Sequence, residues 1–174
     1  MRTRPQTRLL VTLALTGTLL FVLQIVLQSL PNVEGVSLLI ILSTLVFGLK
    51  TLYSVTLFVA LEGLFYGFDL WWFSGYCVLW PLLCLLTHWF RKPLMANNLT
   101  RAVFSAVFGL CFGLGYALLR LPLVGFYGAF SYWVAGIPFD LVHMAGNFVL
   151  MLLLGNRLLP LMKAHSPLAN KSNP

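Results

Sequence analysis

The chain has 174 residues, of which 60% are apolar or aromatic and 9% charged, with a mean hydropathy of +0.92. Four acidic and eleven basic residues cannot cover the surface of a soluble domain this long, so the composition points to lipid as the solvent. The net charge of +7 comes from basic residues scattered singly between apolar runs, with no stripe able to track a phosphate backbone, which argues against nucleic acid.

In chain order, Met1 to Arg8 is basic and leads into apolar and small residues as far as Leu27. That run is too long for a signal peptide and no small-residue cleavage site follows it, so it reads as a retained first span over 9–30, stopped by Pro31-Asn32. The next run, 36–67, is interrupted only by Lys50 and Glu62. As one helix it would measure about 48 Å against a hydrocarbon core of about 30 Å. It must fold back, and Gly48-Leu49-Lys50-Thr51 divides it into short helices over 36–49 and 51–67. Gly67-Phe68-Asp69 marks a turn into a fourth span over 70–90, and Arg91 to Arg101 forms a polar loop before a fifth span over 102–121. Pro122, Gly125 and Gly128 then punctuate an aromatic-rich loop reaching Gly136. The sixth span, 137–160, starts with Pro138 in a first-turn position, where the missing N–H costs nothing. The expectation is a single all-α domain over 1–163, a six-helix transmembrane bundle, with a polar tail over 164–174.

Six spans put both termini on one side. Arg2, Arg4, Arg8, Lys50, Arg91, Lys92, Arg101, Arg157, Lys163 and Lys171 fall on that side, and only Arg120 on the other, where Glu34 and Asp69 also lie. Basic residues concentrate on the cytoplasmic side of membrane proteins, so the termini are expected there.

Ionisable groups inside a membrane are costly, and their depth is the main functional signal. Glu62 and Tyr66, then Trp71, Trp72, Tyr76, Cys77 and Trp80, then Tyr116 and Arg120, and lastly Asp140, His143 and Asn147 all fall in the outer halves of their spans. Asp140, His143 and Asn147, spaced i, i+3, i+7, share one helix face. Asp140 in a first turn also suits the positive end of a helix dipole, and His143 and Asn147 also suit interhelical hydrogen bonding. Glu62 amid apolar neighbours needs a partner, for which Arg120 and His143 are candidates. The tryptophans suit an interfacial belt as well as a binding wall, and the rings Phe126, Tyr127, Phe130, Tyr132 and Trp133 crowd one outer segment. An outward cavity that recognises a polar ligand accounts for these groups together.

No phosphate-binding GxxxxGK[ST], HExxH, GxSxG or CxxC pattern occurs, and Cys77, Cys84 and Cys111 all sit in apolar stretches. No metal site of the chain's own is expected. Asp140-x-x-His143 keeps a membrane enzyme open as an alternative, though no serine or cysteine nucleophile is evidently paired with it. The absence of an internal duplication argues against an inverted-repeat transporter.

Several segments resemble the substrate-binding S components of energy-coupling factor (ECF) transporters, over nearly the whole chain. They are Pro31-Asn32-Val33-Glu34 with Ser37-Leu38-Leu39, Phe47-Gly48, Leu61-Glu62-Gly63, Tyr66-Gly67, Trp71-Trp72, and Phe130-Ser131-Tyr132-Trp133-Val134-Ala135-Gly136-Ile137-Pro138-Phe139-Asp140 running into His143 and Gly146-Asn147-Phe148. The pattern looks most like the subgroup specific for cobalamin (vitamin B12) and cobinamide. The resemblance implies a six-helix membrane subunit of a prokaryotic plasma membrane that is not itself an enzyme. It would bind the vitamin at its outer side and topple to deliver it, driven by two ATP-binding subunits through a membrane coupling subunit. ATP would be bound only by those partners. Docking on the coupling subunit would use a small-x-x-x-small motif on the first helix, here Ala14 and Thr18 with Gly17 beside them. The binding set so read is Asn32, Glu34, Glu62, Tyr66, Trp71, Trp72, Tyr76, Tyr127, Tyr132, Trp133, Asp140, His143 and Asn147. A stand-alone facilitator and an S component for another vitamin are the remaining alternatives.

Overall fold

The computed structural model describes residues 5–30 and 33–168, and among these the chain is all-helical, without strands. The helices are α1 (Pro5–Leu27), α2 (Val36–Phe47), α3 (Thr51–Tyr66), α4 (Leu70–Trp89), α5 (Arg91–Ala96), α6 (Asn98–Leu110) and α7 (Phe112–Ala164), with a 3-10 turn, Gly48–Lys50, between α2 and α3. Four stretches are long and apolar enough to cross a membrane: Gln6–Leu27, Val36–Tyr66, Leu70–Trp89 and Asn98–Ala164. The outer surface carries large apolar side chains such as Leu15, Leu64, Phe126 and Leu153, each more than half exposed, which suits a lipid surround.

Two of the four stretches double back. Phe47 clusters with Leu9 and Leu13, while Gly35 lies against Leu23 and Leu27, so α2 runs antiparallel to α1. The Ser54 hydroxyl donates to the Leu13 carbonyl and the Tyr66 hydroxyl to the Gln28 side chain, so α3 runs parallel to α1. The reversal between α2 and α3 follows Gly48, whose φ of 63° lies in the left-handed region that favours glycine. The second reversal is at Gly125 (φ 71°, ψ 177°), inside α7. On one arm Asn98, Ser105 and Gly113 meet Leu152, Asn147 and Asp140 on the other, the pattern of an antiparallel hairpin.

This hairpin corrects the reading of 122–136 as an aromatic loop. Helix continues through Pro122 to residue 124, turns at Gly125 alone, and resumes at 126, well before the expected start at 137. Of the glycines that punctuate the segment, only Gly125 has positive φ. Pro122 and Pro138 both sit inside helix, a position tolerated in apolar helices packed against neighbours. The expected polar loop 91–101 is likewise mostly helical, as α5 and the start of α6, with the Asn97 side chain accepting from the Thr100 N–H to cap α6. The last helix reaches Ala164 rather than residue 160.

α2 is the centre of the bundle: every residue but Val46 is buried. Around it, small residues let the backbones approach closely. A Cβ on Gly17 would lie 2.7 Å from the Ser54 carbonyl oxygen, and one on Gly75 would enter the Tyr116 ring. In lipid, apolar contact between helices has little hydrophobic driving force, so such close packing and interhelical hydrogen bonds hold the bundle. Arg8, Lys50, Arg91, Lys92, Arg101, Arg157 and Lys163 lie at the end where α1 begins, with Arg120 near Trp71 at the other.

Gly17→Leu should destabilise the detergent-solubilised protein by about 1–3 kcal/mol, the usual cost of overpacking. Ala14→Leu should leave the melting temperature nearly unchanged, since Ala14 is exposed. Thermal melts followed by tryptophan fluorescence compare the two.

Candidate functional site

The end of the bundle opposite the N-terminus of α1 holds two adjoining cavities. The first, about 200 Å³, is lined by α1 (Gln24, Leu27, Gln28), the connection into α2 (Leu30, Val33, Glu34), α4 (Tyr76, Trp80) and the two arms of α7 (Phe112, His143). The second, about 350 Å³, is lined by Gln24, Gln28, Glu62, Tyr66, Trp72 and Tyr76. Gln24, Gln28 and Tyr76 belong to both, and the Gln24 amide donates to the Tyr76 hydroxyl at 3.0 Å on the shared wall.

On the first cavity, Glu34 and His143 form a buried pair, with Nε2 3.1 Å from Oε1. The other carboxylate oxygen accepts from the Ser37 N–H at 2.8 Å, closing the start of α2, where the helix dipole also favours an anion. Burial alone would raise the Glu34 pKa, but the hydrogen bond and charge of His143 and the bonds from Ser37 outweigh it and hold it below 4.5. Phe112 meets the His143 ring edge-on at 5.0 Å and fixes its plane. Rings continue from Phe112 through Trp80 and Tyr76 to Trp72, each 5.2–5.6 Å from the next, so one aromatic file runs along both cavities.

Two buried polar atoms on these walls have no hydrogen-bond partner among the described residues: Glu62 Oε1 and Trp80 Nε1. Their side chains are 2% and 1% exposed. An unsatisfied buried donor or acceptor is costly, and one lining a cavity is positioned to be satisfied by what fills it. Neither expected partner of Glu62 reaches it. His143 is taken by Glu34, and the Arg120 guanidinium lies over the Tyr132 ring at 3.9 Å, near Trp71 and Tyr116, donating weakly to the Trp71 carbonyl.

The residues singled out in the sequence thus separate. Glu34, Glu62, Tyr66, Trp72, Tyr76 and His143 line the cavities. Asn32 lies outside the described residues. Asp140 is buried against α7's first arm, accepting from the Gly113 N–H at 3.0 Å, and Asn147 donates to the Ser105 carbonyl at 3.2 Å; both join helices and neither lines a cavity. Trp71 and Tyr132 sandwich Arg120 at the surface, Tyr127 is 85% exposed, and Trp133 lines a separate apolar groove with Phe126 and Phe130 on the hairpin. Tyr127, Tyr132 and Trp133 stand away from the cavities because the segment that carries them is helix rather than loop, and Trp71 because it turns to Arg120. On α1, Gly17 packs on α3, while Ala14 and Thr18 face outward.

Gln24, Gln28, Trp80 and Phe112 were not singled out as binding residues. The signals were present: Gln24 and Gln28 are an i, i+4 polar pair in an apolar helix, and Trp80 follows Trp72 and Tyr76 at four-residue spacing. No group of three or more metal-ligating side chains occurs among the described residues. Comparisons of the chain with family models, with curated proteins and with solved structures found no match.

Removing either partner of the buried pair, as in Glu34→Gln or His143→Leu, should cost about 3–5 kcal/mol, and the double variant less than the sum of the two. Chemical unfolding in detergent measures the cycle. Because the folded Glu34 pKa is depressed, its contribution is complete above pH 4.5 and is lost as pH falls below it, so the melting temperature of wild type, but not of Glu34→Gln, should fall through that window.

Proposed function

We propose that the chain is the substrate-binding membrane subunit of an energy-coupling factor importer, with cobalamin or cobinamide as its substrate. The observation that carries this is the pair of adjoining cavities at one end of the bundle, with two buried polar atoms on their walls that only a ligand or water can satisfy. Membrane-embedded sites of this make-up, concave and aromatic with a few convergent polar groups, serve small-molecule recognition.

In this reading α1, α2, α3, α4, the α6 arm and the final arm of α7 are six crossings. The basic end is cytoplasmic and the cavities open to the outside. The subunit binds the vitamin there, topples, and releases it inward when two ATP-binding subunits act through a membrane coupling subunit. Ala14 and Thr18, exposed on α1, form the small-residue strip on which that coupling subunit docks. The choice of cobalamin comes from the family resemblance. Cavity size favours a second form of the same reading. A corrin macrocycle with its nucleotide tail is larger than spaces of about 200 and 350 Å³ together, and a smaller vitamin fits them directly.

Calorimetry of the purified chain against a vitamin panel tests the proposal. Tight cobalamin binding with riboflavin and folate silent establishes the first form, and binding of a smaller vitamin with cobalamin silent establishes the second. Absence of binding throughout the panel, together with failure to co-purify with two ATPases and a larger membrane protein, would sink both. For whichever vitamin binds, Tyr76→Ala should weaken affinity on the order of tenfold or more, as loss of a buried aromatic anchor does.

A further inference from the structure

The second cavity joins two features that rarely meet by chance. One is a carboxylate without a counter-charge. Glu62 is 2% exposed and its Oε1 is unpartnered among the described residues, while His143 pairs with Glu34 and the Arg120 guanidinium lies over the Tyr132 ring. The other is a corner of perpendicular rings. Tyr66 stands edge-on to Trp72 at 6.5 Å and 89°, and Trp72 edge-on to Tyr76 at 5.3 Å and 88°. Both tyrosine hydroxyls are tethered to α1, one giving its hydrogen bond to Gln28 and the other accepting from Gln24, so the rings are held in place before anything binds. Ring faces attract cations through their quadrupoles, and a desolvated carboxylate does so more strongly.

We infer that the Glu62 cavity is a subsite for an organic cation, taking a positively charged nitrogen of the ligand between the Glu62 carboxylate and the rings of Tyr66, Trp72 and Tyr76. The inference rests on the cavities being the ligand site, and it selects the smaller-ligand form of that reading. A neutral amide or sugar would satisfy Oε1 by a hydrogen bond but would leave the carboxylate's charge uncompensated in a buried, aromatic surround. A cation that carries an N–H satisfies both, a quaternary one balances the charge, and in either case the resulting pair is neutral overall. The first cavity offers the complementary chemistry, since the unpartnered Trp80 N–H is suited to an acceptor elsewhere on the same molecule.

The test uses the full chain in lipid nanodiscs and two probes of equal shape: choline, and its neutral isostere in which a tert-butyl group replaces trimethylammonium. Binding is read by quenching of tryptophan fluorescence and by calorimetry. Choline should bind on the order of tenfold more tightly than the isostere. Glu62→Gln should abolish that preference, and Tyr66→Leu, at a position 44% exposed, should reduce it. A melting curve for each variant confirms that it is folded. Equal affinity for the two probes, no binding of either, or a preference that survives Glu62→Gln overturns the inference. A vitamin that binds while the probes are not discriminated leaves the transport reading standing without the cation subsite. Charge discrimination that depends on Glu62, with no vitamin bound, does the reverse.

Discussion

The bundle is organised around a short helix enclosed by its neighbours. α2 has 12 residues, about 18 Å of rise, and is enclosed by its neighbours along its length. Its terminal N–H and C=O groups therefore end inside protein, where water does not reach them freely, and each end is closed by a charge of the right sign. Glu34 accepts from Ser37 at the positive end of the helix and is itself balanced by His143. Arg91 donates to the Leu45 carbonyl at the negative end. The two contacts tie α2 to the last arm of α7 on one side and to the start of α5 on the other. A bundle whose helices gain little from apolar contact in lipid is held by such polar closures and by close backbone approach.

The start of α2 packs against the end of α1, and the two cavities open among the ends of α1, α3 and α4 beside it. The Glu34–His143 pair lies at the floor, and the glutamines of α1 and the rings of α3 and α4 form the walls. The aromatic file from Trp72 to Phe112 connects walls to floor, ending on the His143 ring. Site and scaffold share the same side chains.

What could be read from the sequence follows from which physical signal each feature leaves. Hydropathy located the helices, and the length argument located the fold-back at Gly48, because a 48 Å rod cannot match a 30 Å core whatever its residues. Glycine and proline misled at 122–136. Soluble-protein rules treat them as breakers, whereas a helix packed against its neighbours keeps Pro122 and Pro138, and the turn needed only the single positive-φ residue, Gly125. That error moved Tyr127, Tyr132 and Trp133 from a supposed binding loop to outward helix faces. The facing of each helix was not legible. Asp140 and Asn147 face the other arm of the hairpin and join helices, while Glu34, in the link between the first two spans of the reading, is the partner of His143. Rotation about a helix axis is set by packing against partners, and an apolar sequence with hydrophobic residues on every face records it weakly.

The treatment of charge at the cavity end is selective. Of the ionisable groups there, Glu34 is matched by a histidine, Asp69 caps α4 by accepting from the Trp71 N–H, and Arg120 is stacked among three rings at the surface. Arg120, a candidate counter-ion for Glu62 on the sequence, lies instead over Tyr132. A buried carboxyl group left alone in this way burdens the empty protein, since when charged it lacks a counter-ion and when neutral its Oε1 still lacks a hydrogen-bond partner. That burden is lifted when the cavity is filled by a group that balances it.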